Sequence, residues 1–167
     1  MIKLSIREDF FRLSCEQLSA DDVYIRPIKD DFDLWYATEE CRLKPGQDEF
    51  VNRAGFSIGR AYLNPQDNVP CIVCLSNGER IGYIVFRRWF GGDAYSFSCY
   101  LDADWQGKGY GKKTVKLAVE ILKTADPNMP IKLAAEVANT LAHRLYESIG
   151  FVLSDEKDGD DFVFIFE

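Results

Sequence analysis

Apolar positions alternate with polar ones in some stretches of the chain and recur every third or fourth residue in others, and these two periods divide it into elements. Val23 to Ile28 alternates Val, Ile and Ile with Tyr, Arg and Pro, which predicts a first strand stopped near Pro27. Asp30 to Arg42, carrying Phe32, Leu34, Trp35 and Ala37, predicts a helix terminated by Pro45-Gly46, and Phe50 to Leu63 predicts a second that ends before Asn64-Pro65. Three strand-like runs follow: Cys71 to Leu75, Ile81 to Trp89 and Tyr95 to Leu101. Asn77-Gly78 and Gly91-Gly92-Asp93 between them are short hairpin signals, so the three form an antiparallel meander. Val115, Ala118, Val119 and Leu122 stand at i, i+3, i+4 and i+7 in Thr114 to Lys123, the spacing of a helix with one buried face. Ile131 to Val137 reads as a strand, Asn139 to Ser148 as a helix stopped by Gly150, and Phe151 to Leu153 with Asp161 to Phe166 as a closing hairpin. Ahead of all these, Phe10, Phe11, Leu13 and Leu18 are spaced loosely as in a short helix. The expected architecture is an α+β layer with one crossover, in which residues 1–22 are an N-terminal extension and residues 23–167 a single domain.

Composition changes this picture little. A chain of 167 residues with 47% apolar residues fits one domain with a full core. No apolar run approaches the roughly 20 residues of a membrane helix, and Arg7, Glu8 and Asp9 stand where a signal peptide would be apolar, so a cytoplasmic protein without a membrane partner is expected. The five cysteines are odd in number and scattered, which reads as reduced thiols. Cys71 and Cys74 point to opposite faces of a strand, with no second pair to complete a site, so no metal is expected. The net charge of −7 disfavours a nucleic-acid partner and suits a cationic small molecule.

The chemistry concentrates between the last meander strand and the following helix. Gly107, Gly109 and Gly111 alternate there with Lys108, Tyr110 and Lys112. Alternate glycines let backbone amides approach an anion, and the helix aims its positive end at the same place. A nucleotide P-loop is excluded, because Gln106 and Lys113 occupy the positions that need Gly and Ser or Thr. A dinucleotide fingerprint is excluded as well, since its third glycine would fall on Lys112 or Thr114.

Gln106, Gly109 and Gly111 resemble the pyrophosphate-binding loop of the GCN5-related N-acetyltransferases (GNAT). Asn139, Ala142, Leu145-Tyr146-Glu147 and Gly150-Phe151 match that superfamily's second motif, in the right order. The resemblance implies a mixed, mostly antiparallel central sheet flanked by helices. Acetyl-CoA would lie in the splay between the strand ending at Leu101 and the strand Ile131 to Val137. Its pyrophosphate would rest on the amides of Gly107, Lys108, Gly109, Tyr110, Gly111 and Lys112, with Lys108 and Lys112 adding charge. Asn139 would bind the pantetheine arm, an amide near Leu101 the thioester oxygen, and Tyr146 would protonate the departing thiolate. The seven-residue spacing of Asn139 and Tyr146 puts them within about 20° on a helix and roughly 10 Å apart. Leu141, Leu145 and Ile149 would hold that helix to the sheet. Cys99 reads as strand packing, and His143 as exposed.

Further upstream, Gln47, Phe50-Val51, Ser57, Ala61-Tyr62 and Val69-Pro70 resemble the bacterial spermine/spermidine acetyltransferases. The implied acceptor is a polyamine amine, with Glu39, Gln47 and Phe50 as substrate-binding candidates. Tyr95-Ser96-Phe97-Ser98-Cys99-Tyr100 departs from those relatives, which carry a tryptophan-rich strand with an Arg. The alternatives are a protein, peptide or aminoglycoside amine as acceptor, or a non-catalytic acyl-CoA sensor; the implied partners are a small-molecule amine and a second copy of the chain.

Overall fold

The computed structural model describes residues 6–8, 19–20 and 22–167; Phe10, Phe11, Leu13 and Leu18 of the expected N-terminal helix lie outside them. The strands are β1 Ser19–Ala20, β2 Val23–Pro27, β3 Asn68–Leu75, β4 Arg80–Arg88, β5 Tyr95–Leu101, β6 Ile131–Ala135, β7 Val152–Asp158 and β8 Asp161–Phe166. They form one sheet in the order β1-β2-β3-β4-β5-β6-β8-β7, antiparallel throughout except for the parallel pair β5–β6. The helices are α1 Asp31–Trp35, α2 Ala54–Leu63, α3 Tyr110–Ala125 and α4 Thr140–Ile149. This is the mixed α+β architecture that the sequence resemblance implies.

Alternation along the strands builds a core on each face of the sheet. Cys71, Val73, Ile84, Phe86, Phe97 and Leu101 face one side, where α3 covers them with Val115, Ala118 and Leu122. Ile72, Cys74, Tyr83 and Val85 face the other, under Tyr36, Ala37 and Ala54. Cys71 and Cys74 thus do point to opposite faces. Ile6, only 1% exposed, joins the α3-side core, and β1 pairs with β2, so described parts of residues 1–22 belong to the same sheet and core.

β3 begins earlier than expected, at Asn68, α3 at Tyr110 instead of Thr114, and β7 runs on to Asp158 instead of ending at Leu153; three other boundaries differ for local reasons. The first helix widens after Trp35 into a π turn, Tyr36–Glu40, closed by Cys41 N donating to the Tyr36 carbonyl at 2.8 Å, and ends there instead of at Arg42. The second begins at Ala54 and not Phe50, because residues 41–53 form a loop fastened to the far end of β5. β6 ends at Ala135 because the Glu136 carbonyl accepts from Asn139 N at 2.9 Å and turns the chain toward α4.

Asp33, fully buried, anchors α1 to the sheet. It accepts from Arg26 on β2, from Arg80 Nε on β4 at 2.8 Å and from Lys29 N at 3.1 Å. Burial alone would raise its carboxyl, but these bonds hold it well below the usual carboxylate range.

Candidate active site

Between β5 and β6 the ladder has a single rung, Tyr95 opposite Ile131, with Tyr95 N donating to the Pro130 carbonyl at 2.9 Å. Beyond it the two strands diverge. Because Tyr95 N faces β6, alternation directs the amides of Phe97, Cys99 and Leu101 the same way. No described residue accepts from them, so one edge of β5 lines an open slot with unpaired donors.

At the end of that slot the chain forms the glycine loop. Gly107 and Gly109 have φ of +74° and +88°, a conformation that side chains rarely adopt, and a Cβ at 107, 109 or 111 would meet nothing within 4 Å. Among the described residues nothing accepts from the amides of Gly107 to Lys112; the first helical bond is Lys113 N to the Gly109 carbonyl at 3.4 Å. These free amides stand at the positive end of a helix of 16 residues, an open cradle for a phosphate group. Lys108 lies 5.0 Å over the Trp105 ring, which itself meets Tyr110 edge-on at 5.7 Å, while Lys112 is exposed.

Gln106 is a structural bracket. Its Nε2 donates to the Leu101 carbonyl at 2.9 Å, fixing the end of β5, and its amide exchanges two hydrogen bonds with Gln47, of 2.9 and 2.8 Å. Arg42 N donates to Asp102 Oδ2 at 2.9 Å and the Arg42 carbonyl accepts from Ala103 N at 2.7 Å. The loop that carries Gln47 and Phe50 is therefore fastened to the glycine loop. Phe50 is half-buried there, whereas Glu39 is exposed on the π turn.

Asn139 caps α4, its Oδ1 accepting from Ala142 N at 3.3 Å, which leaves Nδ2 without a partner among the described residues. Tyr146 sits one heptad on, its ring 5.7 Å from Phe151 and edge-on to Phe164 at 5.6 Å. The packing face of α4 is Ala142, Leu145, Tyr146 and Ile149; Leu141 is 73% exposed and lies outside it, because the stripe that brings Tyr146 inward is offset by one residue from the one expected. Burial, with a smaller contribution from the neighbouring Cys99, pushes the Tyr146 hydroxyl upward, so it holds its proton at neutral pH. Cys99, half-buried on β5, has its thiol pushed up to about 12 by loss of water. His143 is half-buried and not exposed: its Nε2 lies 2.9 Å from the Glu136 carbonyl and its ring 5.2 Å from Phe164.

On the opposite face of the sheet, under α2, Tyr83 and Tyr100 lie 5.6 Å apart, with Ser57 Oγ 2.7 Å from the Tyr83 hydroxyl and Ala54 N donating to the Tyr100 hydroxyl at 3.2 Å. Two adjoining cavities, of about 50 and 330 Å³, share Arg60, Asn68 and Arg87 in their walls. Sequence reasoning overlooked Arg60 and Arg87. The available signal was an arginine in step with Tyr83 and Val85, a position that alternation predicts to be covered.

Among the described residues no group of three or more His, Cys, Asp or Glu could hold a metal ion, and no helix is long and apolar enough to cross a membrane.

Residues 31–151 match the profile of the Acetyltransferase (GNAT) family. No curated protein matches the chain. Among solved structures, the fold is similar to aminoglycoside acetyltransferase AAC(6')-Ib in complex with coenzyme A and kanamycin, at a TM-score of 0.69 and 25% identity over 86% of this chain and 92% of that one. It is also similar to spermidine N-acetyltransferase from Vibrio cholerae in complex with CoA and spermine, at 0.66 and 16% over 87% and 94%. A GNAT acetyltransferase from Bacillus anthracis aligns at 0.68 and 18% over 89% and 96%.

Proposed function

The chain belongs to the acetyltransferase (GNAT) family, and on that premise we propose that it moves an acetyl group from acetyl-CoA directly to a primary amine. The observation that carries this reading is the slot between β5 and β6, with unpaired amides along one wall, a phosphate cradle at its end and a half-buried tyrosine beside Cys99. Acetyl-CoA, bound there, supplies a thioester whose carbonyl carbon is open to attack. The amides of Gly107 to Lys112 would hold its pyrophosphate, and Asn139 Nδ2 is available to the pantetheine arm. The amides of Cys99 or Leu101 would donate to the carbonyl oxygen as it gains charge, and Tyr146, kept protonated by burial, would give its proton to the departing sulfur.

The acceptor has to attack as a free amine, which for a lysine-like group of pKa ~10.4 costs roughly 4.6 kcal/mol at pH 7. Glu39 is exposed on the acceptor side of the sheet and is a candidate for relaying that proton, as are Glu40, Asp48 and Glu49. A polyamine acceptor is supported by the resemblance around Gln47 and Phe50 and by the overall charge of −7. The local charge under α2 runs the other way, since Arg60 and Arg87 line that cavity. An aminoglycoside or peptide amine fits the same chemistry. Cytoplasmic action and a homodimer complete the proposal.

Thiol release from acetyl-CoA, with the acetylated amine identified by mass, tests the reading. Tyr146→Phe is expected to lower kcat at least about tenfold with CoA affinity retained. No turnover across polyamines, amino acids, peptides and aminoglycosides, by protein that binds CoA, would refute transfer and leave a non-catalytic acyl-CoA sensor.

A further inference from the structure

The cavities under α2 have an unusual charge state. Arg87 Nε and Ser96 Oγ are both buried without a hydrogen-bond partner. The two residues are register partners on β4 and β5, so they stand side by side on the face that α2 covers. Among the described residues neither Arg87 nor Arg60 makes an ion pair, although Asp67, in the same wall, is held by Arg88 at 3.3 Å. Burial lowers the Arg87 guanidinium and the charge of Arg60 lowers it further, against a smaller opposing effect from Asp158. Three arginines face two aspartates around the larger cavity, a surplus of one positive charge in a protein whose net charge is −7. Leaving a buried guanidinium edge and a buried hydroxyl both unmatched costs stability, and binding sites are where such groups are retained.

An anion in the space that Arg60 and Arg87 share would answer their charge, and a guanidinium edge is a carboxylate receptor. The pyrophosphate of a bound donor cannot fill the role. Ser96 is five residues along β5 from Leu101, roughly 17 Å from where the glycine loop begins. Cys99, whose amide faces the slot beside Tyr146, is three residues from Ser96, or about 10 Å. A group bound at Arg87, the register partner of Ser96, is thus within one small molecule's length of the proposed point of transfer. A surplus of one charge matches a monoanion better than a phosphate.

We infer that the acceptor is an amino acid or short peptide that bears a carboxylate as well as its amine, the carboxylate being held by Arg87 and Arg60, which line both cavities. This rests on the transferase reading, so its test has one arm that needs no turnover. In the first arm, sodium acetate is titrated against sodium chloride at equal ionic strength while the Arg87 Nε–H resonance, assigned by its disappearance in Arg87→Lys, is followed by NMR. A saturable shift with acetate alone supports the site; no saturable shift, or one with inorganic phosphate and not acetate, overturns it.

In the second arm, thiol release is compared for acceptors with and without the carboxylate: lysine against cadaverine, and glycyl-leucine against glycyl-leucinamide. The acid of at least one pair should show kcat/KM at least about tenfold above its partner. Arg87→Gln should remove that advantage through KM, with kcat within about twofold, and Arg60→Gln, on the helix surface, should reduce it if Arg87→Gln fails to fold. Cadaverine and glycyl-leucinamide matching or exceeding their acids would overturn the inference. Absence of thiol release with every amine counts against the transferase reading, and the acetate titration alone then decides the anion site.

Discussion

The donor and acceptor sides of this molecule are built from different materials. On the donor side the working groups are backbone amides, those facing the slot from β5 and those of the glycine loop, and their positions follow from strand divergence and two residues of positive φ. On the acceptor side they are side chains gathered from α2, β4 and β5: Arg60, Ser57, Tyr83, Arg87 and Tyr100. A backbone site tolerates many sequences provided the fold is kept. A side-chain site changes with each residue. The two meet at the Gln47–Gln106 pair and at the bonds of Arg42 to Asp102 and Ala103.

The largest effect that separates the two sides is expected at Asp33. Asp33→Asn leaves Arg26 and Arg80 without their shared carboxylate and should cost about 3 kcal/mol. Because Asp33 fastens α1, the KM for the acceptor should rise while CoA affinity, by calorimetry, changes little. The sign with pH follows from its lowered pKa: the stabilisation is complete above the ordinary carboxyl value near 4 and is lost as pH falls below it toward the native value. Acid denaturation curves of the native chain should therefore be steeper below pH 4 than those of Asp33→Asn.

Gly82→Ala should act on the other side. A Cβ there would meet the Tyr100 carbonyl at 2.6 Å and Leu101 Cδ2 at 2.7 Å, so β5 has to move where its edge lines the slot. A loss of about 2 kcal/mol and weaker CoA binding are expected, with the acetate response of Arg87 preserved. Gln47→Ala and Gln106→Ala should each cost about 1 kcal/mol. In a double-mutant cycle they should couple, because removing either leaves the other amide unmatched; additive effects would break the link between the two sides. The mildest signature is in the pH profile. With Tyr146 raised and protonated, kcat/KM should climb as the acceptor amine deprotonates and show no descending limb below about pH 10; an earlier descent would argue against Tyr146 as the acid.

What could be read from the sequence divides along the same line. Gln106, Gly109 and Gly111 with Asn139 and Tyr146 identify the donor side because the constraints on a phosphate cradle and a helix cap act over a few adjacent residues. The central strands β3 and β4 were legible as apolar runs, since both of their faces are covered, and β2 by its alternation. The start of α2 was not, because nothing in Phe50 to Arg53 breaks a helix, while the loop just before them is tied through Arg42 and Gln47 to Asp102 and Gln106, residues distant in the chain. Arg87 and Ser96 were invisible for a related reason: they are 9 residues apart in the chain, and their adjacency exists only once β4 and β5 are in register. Leu141 was misjudged by a single position because Ala142 and Leu141 are both apolar, and the choice between them is made by the aromatic rings under Tyr146.

The single rung between β5 and β6 has one more consequence. A slot that exists because two strands part company is an absence of pairing, and no side-chain replacement on the far face of the sheet supplies the missing partner strand. Mutations under α2 can therefore accumulate, and change which molecule is accepted, without closing the channel from which the acyl group is delivered. Divergence of specificity in such a chain is mechanically cheap: one half of the sheet is free to explore while the other stays in working order.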